Sequence, residues 1–160
     1  MKALIVIHSQ TGHTVFFARA IAESLQKLGC ETDTEILRTV TFARPTSRAI
    51  ELRRVPDPAG YDILLAGAPV WAFNASPVIM AYLNELKTLK GMRAAAFVTH
   101  ALPFRIFGVE RALRRMSGAL EMLGAQVYAG EELTWMLKPE NNVLQERSRR
   151  LAQRILSSGA

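Results

Sequence analysis

The feature that most constrains this chain is an alternation. Short, uniformly apolar runs are each followed by a segment whose apolar residues recur every three to four positions. Ala3 to His8 is the first run and turns polar at its end. A strand with apolar side chains at consecutive positions must be covered on both faces. Thr14 to Leu28 follows, with Phe17, Ala18, Ile21, Ala22, Leu25 and Leu28 on one helical stripe, as expected of a helix that buries one side. Gly29 stands where a helix-ending glycine belongs.

The same unit repeats down the chain. Tyr61 to Ala68, Arg93 to Thr99 and Ala125 to Gly130 read as further strands. Cys30 to Leu37 instead sets Glu31, Asp33 and Glu35 against Cys30, Thr32, Thr34 and Ile36, the pattern of an edge strand with a wet face. Ser76-Pro77 predicts a helix start, with serine as cap and proline in the first turn, running to about Lys87. Further helices are expected over Gly108–Leu123 and from Pro139-Glu140 to about Leu156. Arg38 to Gly60 holds three prolines and five arginines and predicts a short helix around Thr46–Arg54.

Five strands alternating with about five helices imply an α/β fold of three layers, a five-stranded parallel sheet with helices on both faces. An edge second strand and central first and third strands give the order 2-1-3-4-5. In such sheets ligands bind beyond the carboxyl ends of the strands, at the point where the strand order reverses. The segments after the first, third and fourth strands should therefore carry the chemistry. A length of 160 residues suits one domain, 1–160. Apolar residues at 49% and charged residues at 21% exclude disordered and collagen-like classes.

One cysteine, Cys30, excludes an internal disulfide and a multi-cysteine metal site. The apolar N-terminal run is too short for a signal sequence or a membrane span, so a cytoplasmic location is expected. His8, His13 and His100 have no carboxylate in the same loops, and no metal site is expected. No G-x-x-x-x-G-K-[ST], G-x-G-x-x-G or G-x-S-x-G occurs at the required place. Receiver-type phospho-acceptor chemistry needs acidic residues where His8-Ser9 and Ala68-Pro69 stand.

The sharpest local signal is Ser9-Gln10-Thr11-Gly12-His13-Thr14, between a buried strand and a helix start. Glycine lets successive N–H groups turn inward, hydroxyls add donors, and the helix end adds partial positive charge. Such a loop holds a phosphate without Lys or Arg. It resembles the S/T-x-T-G-x-T phosphate loop of the flavodoxin family at every specified position. Gly67-Ala68-Pro69-Val70-Trp71, followed by Ser76-Pro77, is similar to the second flavin loop of that family and of its reductases. The resemblance implies a flavodoxin-like fold with bound FMN. Ser9, Gln10, Thr11, Gly12, His13 and Thr14 would surround the phosphate, and Pro69, Val70, Trp71, Ala72, Phe73 and Asn74 would lie beside the ring. Trp71 and Phe73 suit that place independently, as aromatics in a loop at the ligand edge.

Thr99, His100 and Ala101 complete the candidate cofactor-binding set, with Phe104 and Arg105 as further candidates. The third loop departs from the family pattern, since its first glycine is Gly108. No catalytic residue of the protein is implied, because the flavin would carry the chemistry.

The expected function is redox: electron transfer, or reduction linked to NAD(P)H or a quinone. The partner would be a redox protein or a small acceptor such as a quinone. The alternative is a non-enzymatic module of the same fold that binds another phosphate compound or a protein. Twenty Lys and Arg against fourteen Asp and Glu leave a net charge of +6. The arginines of 38–54, Arg111, Arg114 and Arg115, and Arg147, Arg149, Arg150 and Arg154 read first as solvated faces. The alternatives for these faces are an acidic partner, an anionic substrate or an anionic membrane surface, and a homodimer is a separate expectation. Nucleic acid is not expected, because aromatics are not interleaved with the basic clusters.

Overall fold

The apolar runs seen in the sequence become the central strands of a computed structural model, which describes residues 1–102, 108–136 and 138–157. β1 (Lys2–Ile7) leads into α1 (His13–Lys27). That helix ends where Gly29 takes φ 82°, with the Gly29 N–H on the Gln26 carbonyl and the Cys30 N–H on the Leu25 carbonyl. This left-handed turn satisfies the last carbonyls and aims the chain back. β2 (Glu31–Ile36) pairs in parallel with β1 in the register Lys2↔Glu31 to Ile7↔Ile36, and its residues stay largely exposed. β3 (Ile63–Trp71) pairs with the other side of β1, so β1 is central.

β4 (Asn74–Ala75) folds back antiparallel on β3. α2 (Pro77–Glu85) starts as expected: the Ser76 Oγ accepts from the Ile79 N–H, and Pro77 opens the helix. β5 (Arg93–His100), α3 (Val109–Met122), β6 (Gln126–Thr134) and α4 (Asn141–Ser157) complete the order. The sheet reads β2-β1-β3-β5-β6, which is 2-1-3-4-5 once β4 is set aside.

Alternate side chains of each central strand go to opposite faces. Leu4, Val6, Leu64, Ala66, Ala94 and Val98 pack with α2 and α3, while Ala3, Ile5, Ile7, Ile63, Leu65 and Phe97 pack with α1 and α4. Each large side chain fully buried here contributes about 1.5–3 kcal/mol. No helix among the described residues is long and apolar enough to cross a membrane.

Three elements differ from expectation. The helix around Thr46–Arg54 does not form; Thr39 bridges to Leu52 in antiparallel fashion, with the Val40 N–H on the Glu51 carbonyl and the Arg53 N–H on the Arg38 carbonyl. Ile50 and Leu52 pack against the core at a spacing of two, which suits extended chain rather than helix. α2 stops at Glu85 rather than Lys87. The last strand runs past Gly130 to Thr134 through a bulge, in which Ala95 faces Tyr128 and Phe97 faces Glu131. A Cβ on Gly130 would lie 2.2 Å from the Ala96 carbonyl oxygen. The glycine is the condition for that strand to continue, not its end.

Candidate functional site

The first loop turns on Gly12, at φ 91° and ψ −7°. A side chain there costs roughly 1–2 kcal/mol. The Gly12 N–H donates to the Ser9 Oγ at 3.2 Å, and its carbonyl accepts from the Phe16 N–H at 3.0 Å. Ser9 therefore braces the turn. No side chain caps α1 and no acidic residue lies in its first turn, so the positive helix end keeps its attraction for an anion. Thr14 is buried, with its Oγ1 2.9 Å from the Thr99 Oγ1. A hydroxyl pair shares one proton between its oxygens, which leaves the other hydroxyl proton to donate elsewhere. The Thr11 Oγ1 lies 3.3 Å from the His13 Nδ1.

The second segment is a hairpin rather than an open loop. β3 extends to Trp71, and Trp71 pairs with Asn74. Ala72 and Phe73 make the two-residue turn with φ of 47° and 63°, a combination that normally selects glycine or asparagine. Phe73 is 55% exposed at the tip. Gly108, at the start of α3, presses on it: a Cβ at Gly108 would lie 2.3 Å from Phe73 backbone atoms. His8 supports the hairpin from beneath. Its Nδ1 is 2.8 Å from the Ser76 Oγ, and its ring meets Trp71 edge-on at 4.8 Å between centroids. Burial lowers the His8 pKa to about 4, so the ring is neutral at neutral pH.

The third segment carries a polar network that the sequence did not reveal. His100 is buried, its Nε2 on the Glu132 carboxylate and its Nδ1 against the Leu102 carbonyl. A carbonyl only accepts, so the Nδ1 carries a proton and the Nε2 shares one with Glu132. Behind it, the Arg147 Nη1 lies 3.5 Å from both Glu131 and Glu132. Glu131 is 4% exposed and also meets Arg154 at 3.1 Å and Arg150 at 3.9 Å. Arg147 and Arg154 are thus counter-ions to buried carboxylates, not members of a purely solvated face, whereas Arg150 pairs more closely with the exposed Glu146 at 2.6 Å. The signal was the pair Glu131-Glu132 in a strand that continues through the bulge.

These segments meet in a cavity of 180 Å³. Gln10, Thr11, His13, Thr14, Pro69, Val70, Trp71, Thr99, His100 and Ala101 line it, together with Trp135. The other expected residues fall outside that lining. Ser9 and Gly12 shape the turn, Ala72 and Asn74 face a neighbouring cavity, and Phe73 projects outward. Phe104 and Arg105 lie outside the described residues. Trp135 was not anticipated, because the strand seemed to stop at Gly130. Its N–H donates to the His100 carbonyl at 2.8 Å, its ring stacks on His13 at 4.3 Å and 14°, and Phe16 packs edge-on against it. The Trp135 Nε1 is buried with no hydrogen-bond partner among the described residues.

No protein-family model matches the sequence, and no curated protein matches it. Solved structures do. Oxidised flavodoxin 1 from Bacillus cereus is similar over 100% of both chains, with a TM-score of 0.73 at 18% identity. A flavoprotein in complex with FMN from Lactobacillus acidophilus covers 82% of this chain and 92% of its own, with a TM-score of 0.63 at 18% identity. Rubredoxin oxygen:oxidoreductase from Desulfovibrio gigas matches 96% of this chain with 35% of its length, with a TM-score of 0.69 at 15% identity. Strand order, layering and these likenesses agree: the chain has the flavodoxin-like fold.

Proposed function

We propose that the chain binds FMN at the 180 Å³ cavity and serves as a redox protein. The observation that carries this reading is the convergence there of all three expected segments, with Trp135 as a fourth wall and no acidic residue among the described residues of the lining. The donor set fits the group. The α1 end, the Gly12 turn, Thr11 and His13 would hold the phosphate, with the free proton of the Thr14–Thr99 pair beside it. Each hydrogen bond to the anion is worth roughly 1.5–3 kcal/mol. The cavity is smaller than the 300–1,000 Å³ usual for ligand pockets. It suits the phosphate and the polyol chain, which leaves the ring at the mouth with Trp71 and Trp135. The unpartnered Trp135 Nε1 offers a donor to an acceptor-rich ligand.

When bound, FMN supplies one-electron and hydride chemistry. The protein's own part is to anchor the phosphate, keep Trp71 in place through His8, and keep a proton at the His100 Nδ1. NAD(P)H- or quinone-linked reduction and single-electron transfer to a protein partner are the two forms this activity takes. Titration of the flavin-free protein with FMN tests the reading. Flavin fluorescence should quench to saturation at one equivalent. Protein that leaves FMN emission unchanged refutes it. Direct bleaching of the loaded protein by NADPH or NADH would then favour the reductase form over the carrier.

A further inference from the structure

The arginine-rich segment 38–54 does not line the 180 Å³ cavity; its first part meets Ser9, Gln10 and Trp71, and beyond the Thr39–Leu52 bridge its middle faces the hairpin and α2. Between them lies a second cavity of about 660 Å³, within the range of small-molecule sites. Arg48 from the segment and Arg115 from α3 both line it. Of the segment's other arginines, Arg54 pairs with Glu35, the Arg53 Nε donates to the Thr39 carbonyl at 3.1 Å, and Arg38 and Arg44 do not line this cavity. Arg48 and Arg115 have neither an ion-pair nor a hydrogen-bond partner among the described residues.

Arg48 and Arg115, exposed side chains from different elements, put two unpaired guanidinium groups on the wall of one cavity, each of which can bind a carboxylate or phosphate. Asn74 and Asn84 add neutral donors and acceptors, and Glu85 adds the one carboxylate of the lining. A bare inorganic anion gains nothing from Glu85. A ligand that also carries a hydroxyl can donate to it. Trp71 lines this cavity and the 180 Å³ cavity alike, so a molecule here would sit beside the proposed cofactor with the indole between them.

We infer that the 660 Å³ cavity is a binding site for a small hydroxylated organic anion, held by Arg48 and Arg115 through its phosphate or carboxylate and by Glu85 through its hydroxyl. The binding stands without a cofactor; use of the ligand as electron donor or acceptor rests on the flavin reading.

Calorimetric titration of the flavin-free protein at constant ionic strength tests it. Citrate serves as the hydroxy-carboxylate and glycerol 3-phosphate as the hydroxy-phosphate. At least one should bind saturably, and the stronger identifies the anionic group. Arg48→Ala and Arg115→Ala should each weaken it at least fivefold. Arg19→Ala, which removes the same charge from an exposed position on α1, should leave it unchanged. In the Trp135→Phe background, where Trp71 is the single tryptophan, the probe should alter the emission. Gly12→Val should not affect probe affinity.

Saturable binding of neither probe overturns the inference. So does equal weakening by Arg19→Ala, which would mean bulk charge, or loss through Gly12→Val, which would place the anion in the first loop. FMN titrations of the same variants keep the two proposals separate. Arg48→Ala and Arg115→Ala should leave FMN affinity within about twofold, and probe binding without FMN binding would sink the cofactor reading alone.

Discussion

His8 shows how much one buried side chain decides. Its ring is neutral because burial lowers the pKa from 6.5 to about 4. The unfolded chain takes up a proton across that window while the folded chain does not, so stability rises with pH there and is lost as pH falls from 6.5 toward 4. The slope at its steepest is about 1.4 kcal/mol per pH unit. Urea titrations at pH 7 and pH 5 should show this loss in the native protein. His8→Asn keeps a polar partner for Ser76 but does not titrate there, and its profile should be flatter over the same range. Gly12 decides differently, through backbone shape. Gly12→Val at φ 91° should destabilise by roughly 1–2 kcal/mol and lower FMN affinity at least tenfold, read by fluorescence quenching. Undiminished affinity would mean that the turn does not hold the phosphate.

At the scale of elements, backbone constraints locate the site. The hairpin turn places Ala72 and Phe73 at positive φ, where ordinary side chains are strained. Replacing them together by Asn-Gly should stabilise the fold by about 1 kcal/mol while removing the exposed Phe73 ring. A raised denaturation midpoint with weaker FMN binding would place the strain in the service of the ligand. Two glycines give a matched pair. Gly130→Ala sets a methyl 2.2 Å from a backbone oxygen and should cost about 1–3 kcal/mol, disturbing β6 and with it Glu131, Glu132 and Trp135. Gly118→Ala, in α3 with open space around it, should stabilise by about 0.5–1 kcal/mol. Urea denaturation of the two variants should give shifts of opposite sign.

For the whole molecule, the net charge of +6 sets a field that favours a reduced, more negative flavin. One charge at ~10 Å in water-like dielectric is worth about 0.4 kcal/mol, or roughly 18 mV for one electron. Several charges add to tens of millivolts at low salt and are screened within about 10 Å at 0.1 M. The midpoint potential of bound FMN should therefore become more negative as salt is raised from low concentration to 0.5 M. A flat response in a potentiometric titration would show that the surface charge plays no part in tuning it.

The sequence by itself determined the layers, the strand order, both ends of α1 and the first loop. Each rests on local rules: apolar runs must be covered on both faces, serine before proline starts a helix, and a glycine among hydroxyls turns the chain into a helix. Tertiary structure alone decided what depends on contacts across the sheet. Segment 38–54 pairs with itself because Ile50 and Leu52 find the core in extended form. Gly130 continues a strand because the Ala96 carbonyl sits against it, and that continuation delivers Trp135 to the cavity and Glu132 to His100. Arg147 and Arg154 turn inward for the same reason, since two carboxylates buried by distant pairing require counter-charge. Local patterns carry no information about such partners, which lie beyond the reach of a helical or strand repeat, 16 residues away for Glu131 and Arg147 and 32 for His100 and Glu132.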